Sequence, residues 1–334
     1  MNWALFGAST IASQHMINAI RAQSGAEIRW IVSGTSERAA SYAQTHRIPF
    51  SATDLADPLS DNAVGAVYVS STNEKHFDQA MAAISAGKHV LCEKPLAMDA
   101  GDALEMVRSA DAAGVTFGTN HHLRCSGSHQ AIRDVINSGK IGRVLSLRIF
   151  HAVQLPDNLR GWRINDPKAG GGVIPDITVH DADVTRFLLG EDPQTVVAQA
   201  AASGMGEGVE DSAMSVWSMP SGAMVFSHES FTHPFAGSGL EVHGSEGSIF
   251  AKGIMTQQPV GAIELVTATG REDVPFELHN LYEFSVGRFC DAIAGMGEPA
   301  ATGLDGVKSL LVAEAVSKAA QSGTRQAPYY GLIA

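Results

Sequence analysis

Cysteine is scarce in this 334-residue chain: Cys92, Cys125 and Cys290 stand far apart. Neither a disulfide framework nor a cysteine-rich zinc site is expected, and a reducing cytoplasm is the simplest setting. Basic residues are also few, 23 against 35 acidic ones, for a formal net charge of -12. That balance excludes nucleic acid and anionic membrane surfaces as partners, because their phosphates would be repelled. A phosphate-bearing ligand must then be held by local donors. Long hydrophobic runs are missing as well: glycine, polar or charged residues break every apolar stretch short of the roughly 20 residues that a membrane-spanning helix needs. The first residues carry no basic stretch leading into an apolar core, so no processed leader is expected. Internal repeats and low-complexity segments are absent. What the chain does have is apolar material, 45% of residues against 17% charged, enough for two ordinary hydrophobic cores. Its length suits two domains.

Short apolar runs alternate with helix-like stretches from the start: residues 3–6, 11–22, 28–32, 37–45, 66–69, 74–86, 89–92, 100–113 and 115–118. Strands this uniformly apolar are those covered on both faces, so the rhythm predicts a doubly wound α/β domain over residues 1–121. After a helical stretch at 128–138 the pattern changes. Strand-like segments at 144–152, 195–202, 213–219, 223–230 and 239–243 follow one another with turns between. They predict a mostly antiparallel sheet in an α+β domain over residues 122–334, with a helix at 174–189 on one face. Two closing helical stretches, 281–294 and 304–320, are amphipathic enough to pack on that sheet or return to the first domain.

Directly after the first strand stands Gly7-Ala8-Ser9-Thr10-Ile11-Ala12, where a dinucleotide-binding turn belongs. Such a turn needs glycine for tightness and close backbone approach, and the helix that follows offers N–H groups and a favourable dipole to a pyrophosphate. Only the first glycine is kept, so an ordinary strand-to-helix turn is the competing reading. The second strand ends in Ser33-Gly34-Thr35-Ser36-Glu37-Arg38, without the acid that NAD-preferring sites place there. A hydroxyl at Ser33 and a guanidinium at Arg38 suit a ribose 2'-phosphate and predict selectivity for NADP(H); the alternative makes Glu37 the ribose ligand. Glu93-Lys94-Pro95 ends the fifth strand and puts a lysine at the carboxyl edge of the sheet, where open α/β folds bind ligands. Further on, Gly170-Gly171-Gly172 leads toward Pro175, Asp176 and His180. If Pro175 starts a helix, Asp176 and His180 share a face, and an Asp beside a His can make the imidazole ready to donate a proton. A plain surface pair gives the same spacing. The triple glycine reads as a phosphate cradle or a flexible loop, and residues 205–208 as a mobile loop. His121 and His122 with His180 and Asp183 resemble a metal cluster, but hydride transfer needs no metal and adjacent histidines in a strand point to opposite faces.

Together these motifs resemble the glucose-fructose oxidoreductase and inositol dehydrogenase (Gfo/Idh/MocA) family, with Glu93-Lys94-Pro95 as its hallmark. Gly161-Trp162-Arg163, the segment 169–174, Asp176-Ile177-Thr178-Val179-His180 and Asn280-Leu281-Tyr282-Glu283 extend the likeness through the second half. The resemblance implies an N-terminal Rossmann domain and a C-terminal α+β domain with a large, mostly antiparallel sheet. It implies that Ser9, Thr10, Ile11, Ala12, Ser33, Gly34 and Arg38 hold the adenosine half of NADPH, and that Ser71, Thr72, Asn73 and His76 line its middle. Glu93, Lys94 and Asn120 would lie near the nicotinamide ribose, Trp162 and Arg163 would reach in from the second domain, and Tyr282 or Glu283 would complete the pocket. Lys94, Asp176 and His180 would be the catalytic group. The family most often has Gly at the place of Ser9, and this chain departs from that pattern.

The expected activity is NADPH-dependent reduction of a cyclic sugar ketone, with no metal. An inositol or sugar dehydrogenase running toward oxidation is the alternative, and a non-catalytic dinucleotide-binding regulator on the same scaffold is a third reading. A small sugar is the expected partner, on a monomer or homodimer.

Overall fold

In the computed structural model, which describes residues 1–333, the first strand β1 (Asn2–Phe6) is buried so completely that Trp3, Ala4, Leu5 and Phe6 have no solvent exposure. Only a strand covered on both faces allows that. It is joined by β2 (Glu27–Val32), β3 (Phe50–Ala52), β4 (Val64–Val69), β5 (His89–Cys92) and β6 (Phe117–Thr119), in the order β3-β2-β1-β4-β5-β6. All these pairings are parallel. Helices make the crossovers: α1 (Ile17–Arg21), preceded by a π-turn at Ala12–Met16, then α2 (Ser36–His46), α3 (Ala56–Ser60), α4 (His76–Ser85) and α5 (Ala100–Ala113). Local chemistry sets their ends. Thr35 and Asp99 cap α2 and α5 by accepting from amides of the first turn, and Gly114 stops α5 in the left-handed region at φ 65°. The strand order reverses between β1 and β4, which opens the crevice where such sheets bind dinucleotides.

The second sheet runs β14-β13-β12-β11-β7-β10-β9-β8. Its strands are β7 (Val144–Ala152), β8 (Thr195–Ala201), β9 (Ser212–Ser218), β10 (Met224–Ser230), β11 (Ser238–Gly244), β12 (Gly247–Lys252), β13 (Ala262–Thr267) and β14 (Gly270–Asp273). Every pairing is antiparallel except β7 with β10, which run side by side in the same direction. The long connection after β7 makes that parallel pair possible. It carries α7 (Trp162–Asn165), a π-turn at Ile174–Thr178 and α8 (Val179–Leu189), while α6 (Gly127–Asn137) precedes β7. Leu147, Ile149, Val225, Leu240, Val242 and Ile249 line the covered face, and Leu145, Met214, Val216 and Met224 are exposed. Periodicity did not anticipate β12 to β14. β14 is Gly-Arg-Glu-Asp, exposed throughout, and carries no buried stripe from which to read a strand.

The chain divides into two compact units, Met1–His122 with Tyr282–Val307, and Leu123–Leu281 with Lys308 onward. The helix α9 (Leu281–Ile293) thus belongs almost wholly to the first, where Phe289 packs 5.6 Å from Trp3. The division falls inside α10 (Gly303–Ser322). Its Gly306 lies so close to β6 that an added Cβ would sit 2.4 Å from Thr119 Oγ1. Among the described residues, no helix is long and apolar enough to cross a membrane.

Candidate active site

The turn after β1 is built around one glycine. Gly7 has φ 114°, and a Cβ there would stand 2.7 Å from the backbone of Ser70 and Ser71, so the loops after β1 and β4 approach as closely as backbone can. Ser9 folds its side chain back into the turn, accepting from Ala12 N at 3.1 Å and bonding Ser70 Oγ at 2.8 Å. A serine therefore does locally what a third-position glycine does by being small. From α2, Arg38 Nη2 donates to Ala8 O at 2.7 Å and Tyr42 Oη donates to Ser9 O at 3.0 Å. Burial holds the Tyr42 phenol far above its usual range and Arg38 offsets this only in part, so Tyr42 stays a neutral donor. Ser33 is buried just past β2, Gly34 is exposed, and Thr10 and Ile11 lead into the Ala12–Met16 turn.

The next loops cluster at the same carboxyl edge. Ser71 Oγ donates to Gln79 Oε1 at 2.8 Å. Thr72 precedes Asn73, and Asn73 is buried in the short turn before α4. His76 is buried, with Nδ1 2.8 Å from Pro95 O and Nε2 3.2 Å from Ser71 O. Burial pushes its pKa below the usual value, so its single ring proton serves one of these carbonyls at a time and links the start of α4 either to the β4 loop or to the segment carrying Lys94. Glu93 Oε1 accepts from Tyr68 Oη at 2.5 Å and from Asn120 Nδ2 at 2.6 Å, while Ser285 of α9 donates to Asn120 Oδ1 at 3.2 Å. Burial and then the Glu93 charge raise the Tyr68 phenol well above its normal range. Glu93 is thus a fixed carboxylate that locks the chain on which Lys94 projects, and Lys94 is itself half-buried. Tyr282 lies between two imidazoles, 4.6 Å from His15 and 5.0 Å from His122, and Glu283 next to it is exposed with its carbonyl accepting from Gln23 Nε2.

In the second unit, Arg163 Nε lies 3.3 Å from Asp176 Oδ2, and its guanidinium sits 4.6 Å over the Trp162 ring. Asp176 and His180 are both buried. The turn that carries Asp176 is π rather than α, so a spacing of four no longer marks one regular helical face, contrary to expectation. Neither expectation for the triple glycine holds. Gly170 N donates to Pro167 O, Gly171 N to Asp166 O and Gly172 N to Arg163 O, at 3.2, 2.9 and 2.8 Å. A Cβ on Gly171 would meet Trp162 O at 2.5 Å. The glycines are a close-packed support for α7, with no amide left for phosphate. Nor is the segment at 205–208 loose at its start: Asp211 accepts from Ser203 N, Ser203 Oγ, Gly204 N, Met205 N and Gly206 N. His121 and His122 lie beyond β6, not in a strand, and the Asp183 carboxylate is taken in a two-pronged pair by Arg124. Among the described residues, no three His, Cys, Asp or Glu are grouped to hold a metal ion.

Residues 1–121 match the oxidoreductase family with an NAD-binding Rossmann fold, and residues 129–250 match the GFO/IDH/MocA C-terminal domain. The chain belongs to the Gfo/Idh/MocA family. It is 52% identical over 322 residues to 1,5-anhydro-D-fructose reductase of Ensifer adhaerens, covering 96% of each chain. To myo-inositol 2-dehydrogenase of Thermotoga maritima it is 28% identical over 272 residues, 79% of this chain and 80% of the relative. Among solved structures, aldose-aldose oxidoreductase from Caulobacter crescentus, complexed with glycerol, superposes with a TM-score of 0.89 at 25% identity over 98% of this chain and 99% of the other. The protein is an oxidoreductase with an NAD(P)-binding Rossmann domain.

The first unit fits a dinucleotide on its own geometry. The Gly7 turn leaves no room for a Cβ, Ser33 stands at the end of β2 where no acid is placed and Arg38 follows in the first turn of α2, and the Glu93–Asn120 pair closes the far side. Tyr42, Tyr68 and Ser285 belong to this machinery, and sequence reasoning missed them. Tyr42 carried a signal, four residues beyond Arg38 on α2. Tyr68 carried a fainter one, a lone hydroxyl in an otherwise apolar strand. Ser285, far away in sequence, carried none.

Proposed function

We propose that this protein is an NADPH-dependent reductase of 1,5-anhydro-D-fructose, converting its C2 carbonyl to the alcohol of 1,5-anhydro-D-mannitol. The observation that carries the reading is the 52% identity over 96% of both chains with a reductase of that substrate. Choice of NADPH is supported by Ser33 and Arg38: a hydroxyl and a guanidinium can bind a 2'-phosphate, and no carboxylate at the end of β2 repels it.

When bound, the reduced nicotinamide supplies the hydride for the carbonyl carbon. The chain supplies position and a proton. His180 or Lys94 gives the carbonyl oxygen its one proton, the task that general acids perform in many enzymes. Asp176, held by Arg163, is the fixed carboxylate of the group, and the stacked Trp162–Arg163 pair forms a flat, polar wall suited to a sugar ring. A site rich in hydroxyl partners rejects analogues lacking them. Purified protein with NADPH should consume anhydrofructose with higher kcat/KM than glucosone, fructose or scyllo-inosose, and product identification should return anhydromannitol. If anhydrofructose is not among the best substrates, this assignment fails.

A further inference from the structure

Behind His180 lies a line of buried polar side chains with no part in the reaction so far described. β7 and β10 place His151 beside Glu229, and alternation along β10 puts Ser227 on the same covered face. Asp181 of α8 comes down onto that face: His151 Nδ1 is 2.9 Å from Asp181 Oδ1, and Ser227 Oγ is 3.2 Å from Asp181 Oδ2 and 2.6 Å from Glu229 Oε1. Asp181, Ser227 and Glu229 have no solvent exposure. The rings of His151 and His180 are 6.3 Å apart.

Counting protons decides the charge of this line. Ser227 has one hydroxyl proton and two carboxyl groups within hydrogen-bond distance. Two ionised carboxylates would leave one oxygen pair in bare repulsion away from water, so one carboxyl must carry its own proton. Asp181 accepts from the His151 ring as well as from Ser227 and is the better-served anion. Burial and the neighbouring Asp181 charge push the Glu229 carboxyl well above the carboxylate range, more than the hydroxyls of Ser227 and Thr178 draw it back. Glu229 then donates to Ser227, Ser227 to Asp181, and every proton has a place.

We propose that Glu229, Ser227 and Asp181 are positioning residues for the proton donor His180. The proton kept on Glu229 leaves a single negative charge on Asp181, which fixes the tautomer of His151 and strengthens the hold of the nearby His180 ring on the proton it gives up. Beside the line itself stands His180 of α8, its ring 6.3 Å from that of His151, and β9, which pairs with β10, carries no ionisable side chain. His129 of α6 is held neutral chiefly by burial, with a pKa of about 3. Burial and then His233 likewise lower His228 on β10. The inference rests on His180 as a proton donor.

The test uses the full chain without substrate, so a wrong substrate assignment leaves it intact. Infrared spectra of the native protein at neutral pH should contain a buried protonated-carboxyl band that Glu229→Gln removes. The His180 ring, followed by NMR, should titrate at the native pH in Glu229→Gln, whose amide can still donate to Ser227. In Asp181→Asn it should titrate about one unit lower. With NADPH and a ketone, the pH above which reduction falls should move down equally in Asp181→Asn and stay in place in Glu229→Gln. A Glu229→Gln titration displaced like that of Asp181→Asn would show Glu229 to be an anion and overturn the proposal. An absent protonated band would do the same, and that measurement stands even if Asp181→Asn fails to fold.

Discussion

Proton placement at single side chains is where the chemistry of this protein is most exposed to test. Lys94→Ala and His180→Ala should each lower turnover by at least about a hundredfold, the scale for losing a positioned proton donor. Cofactor fluorescence titration should show NADPH still bound. Near-normal turnover in both would leave the two residues without the proposed role. Ser33→Asp should narrow the preference for NADPH over NADH, because it puts a carboxylate where the 2'-phosphate is expected; equal kcat/KM with both cofactors in the native protein would already refute the preference. Gly7→Ala adds a Cβ 2.7 Å from two backbone atoms, at a φ of 114°. The backbone conformation alone costs roughly 1–2 kcal/mol for a residue with a Cβ. A lowered thermal midpoint together with lost cofactor binding is the expected result.

Elements, rather than residues, hold the second unit's working parts. α7 has only four residues, so its own hydrogen bonds cannot keep it formed. It leans on the Gly170–Gly172 segment and on the loop before β9, where Glu207 N donates to Ile164 O at 2.7 Å. Asp211 organises that loop. Burial raises its carboxyl pKa, but hydrogen bonds from Ser203 and the amides of Gly206, Ser203 and Met205 outweigh burial and leave it well below the usual value. The sign follows: the folded pKa is depressed, so the stabilisation is complete above the unfolded value of about 3.9 and fades as pH falls toward the folded one. Asp211→Asn should lose roughly 1.5–3 kcal/mol at neutral pH, the range for bonds to a charged group. Urea melts should show the gap between native and variant closing in acid below that unfolded value. A gap independent of pH would show that the loop does not depend on the carboxylate's charge.

For the molecule as a whole, binding is linked to stability. A ligand that binds only the folded chain at about 100 times its Kd adds roughly 2.7 kcal/mol, so NADPH should raise the thermal midpoint by several degrees and NADH at equal concentration by less. Identical shifts would remove the case for Ser33 and Arg38. The amino-acid pattern alone determined much of this molecule. Uninterrupted apolar runs marked the strands of the first sheet other than β3, turn-separated strand-like segments marked β7 to β11, and Glu93-Lys94-Pro95 marked the carboxyl edge. These signals are local, because a strand or helix buries its own stripe whatever it packs against. Tertiary structure alone decided which polar groups meet. Tyr68 and Asn120 converge on Glu93 from positions 25 and 27 residues away, Ser285 reaches Asn120 across 165, and Glu229 meets Asp181 through Ser227. It also turned the triple glycine from a candidate cradle into packing under α7, and the expected helix start at Pro175 into a π-turn. The physical reason is common to all of these. A hydrophobic pattern records which face of an element is buried, while the partner of a buried polar atom is chosen by whichever distant element covers that face, and burial then makes the pairing compulsory.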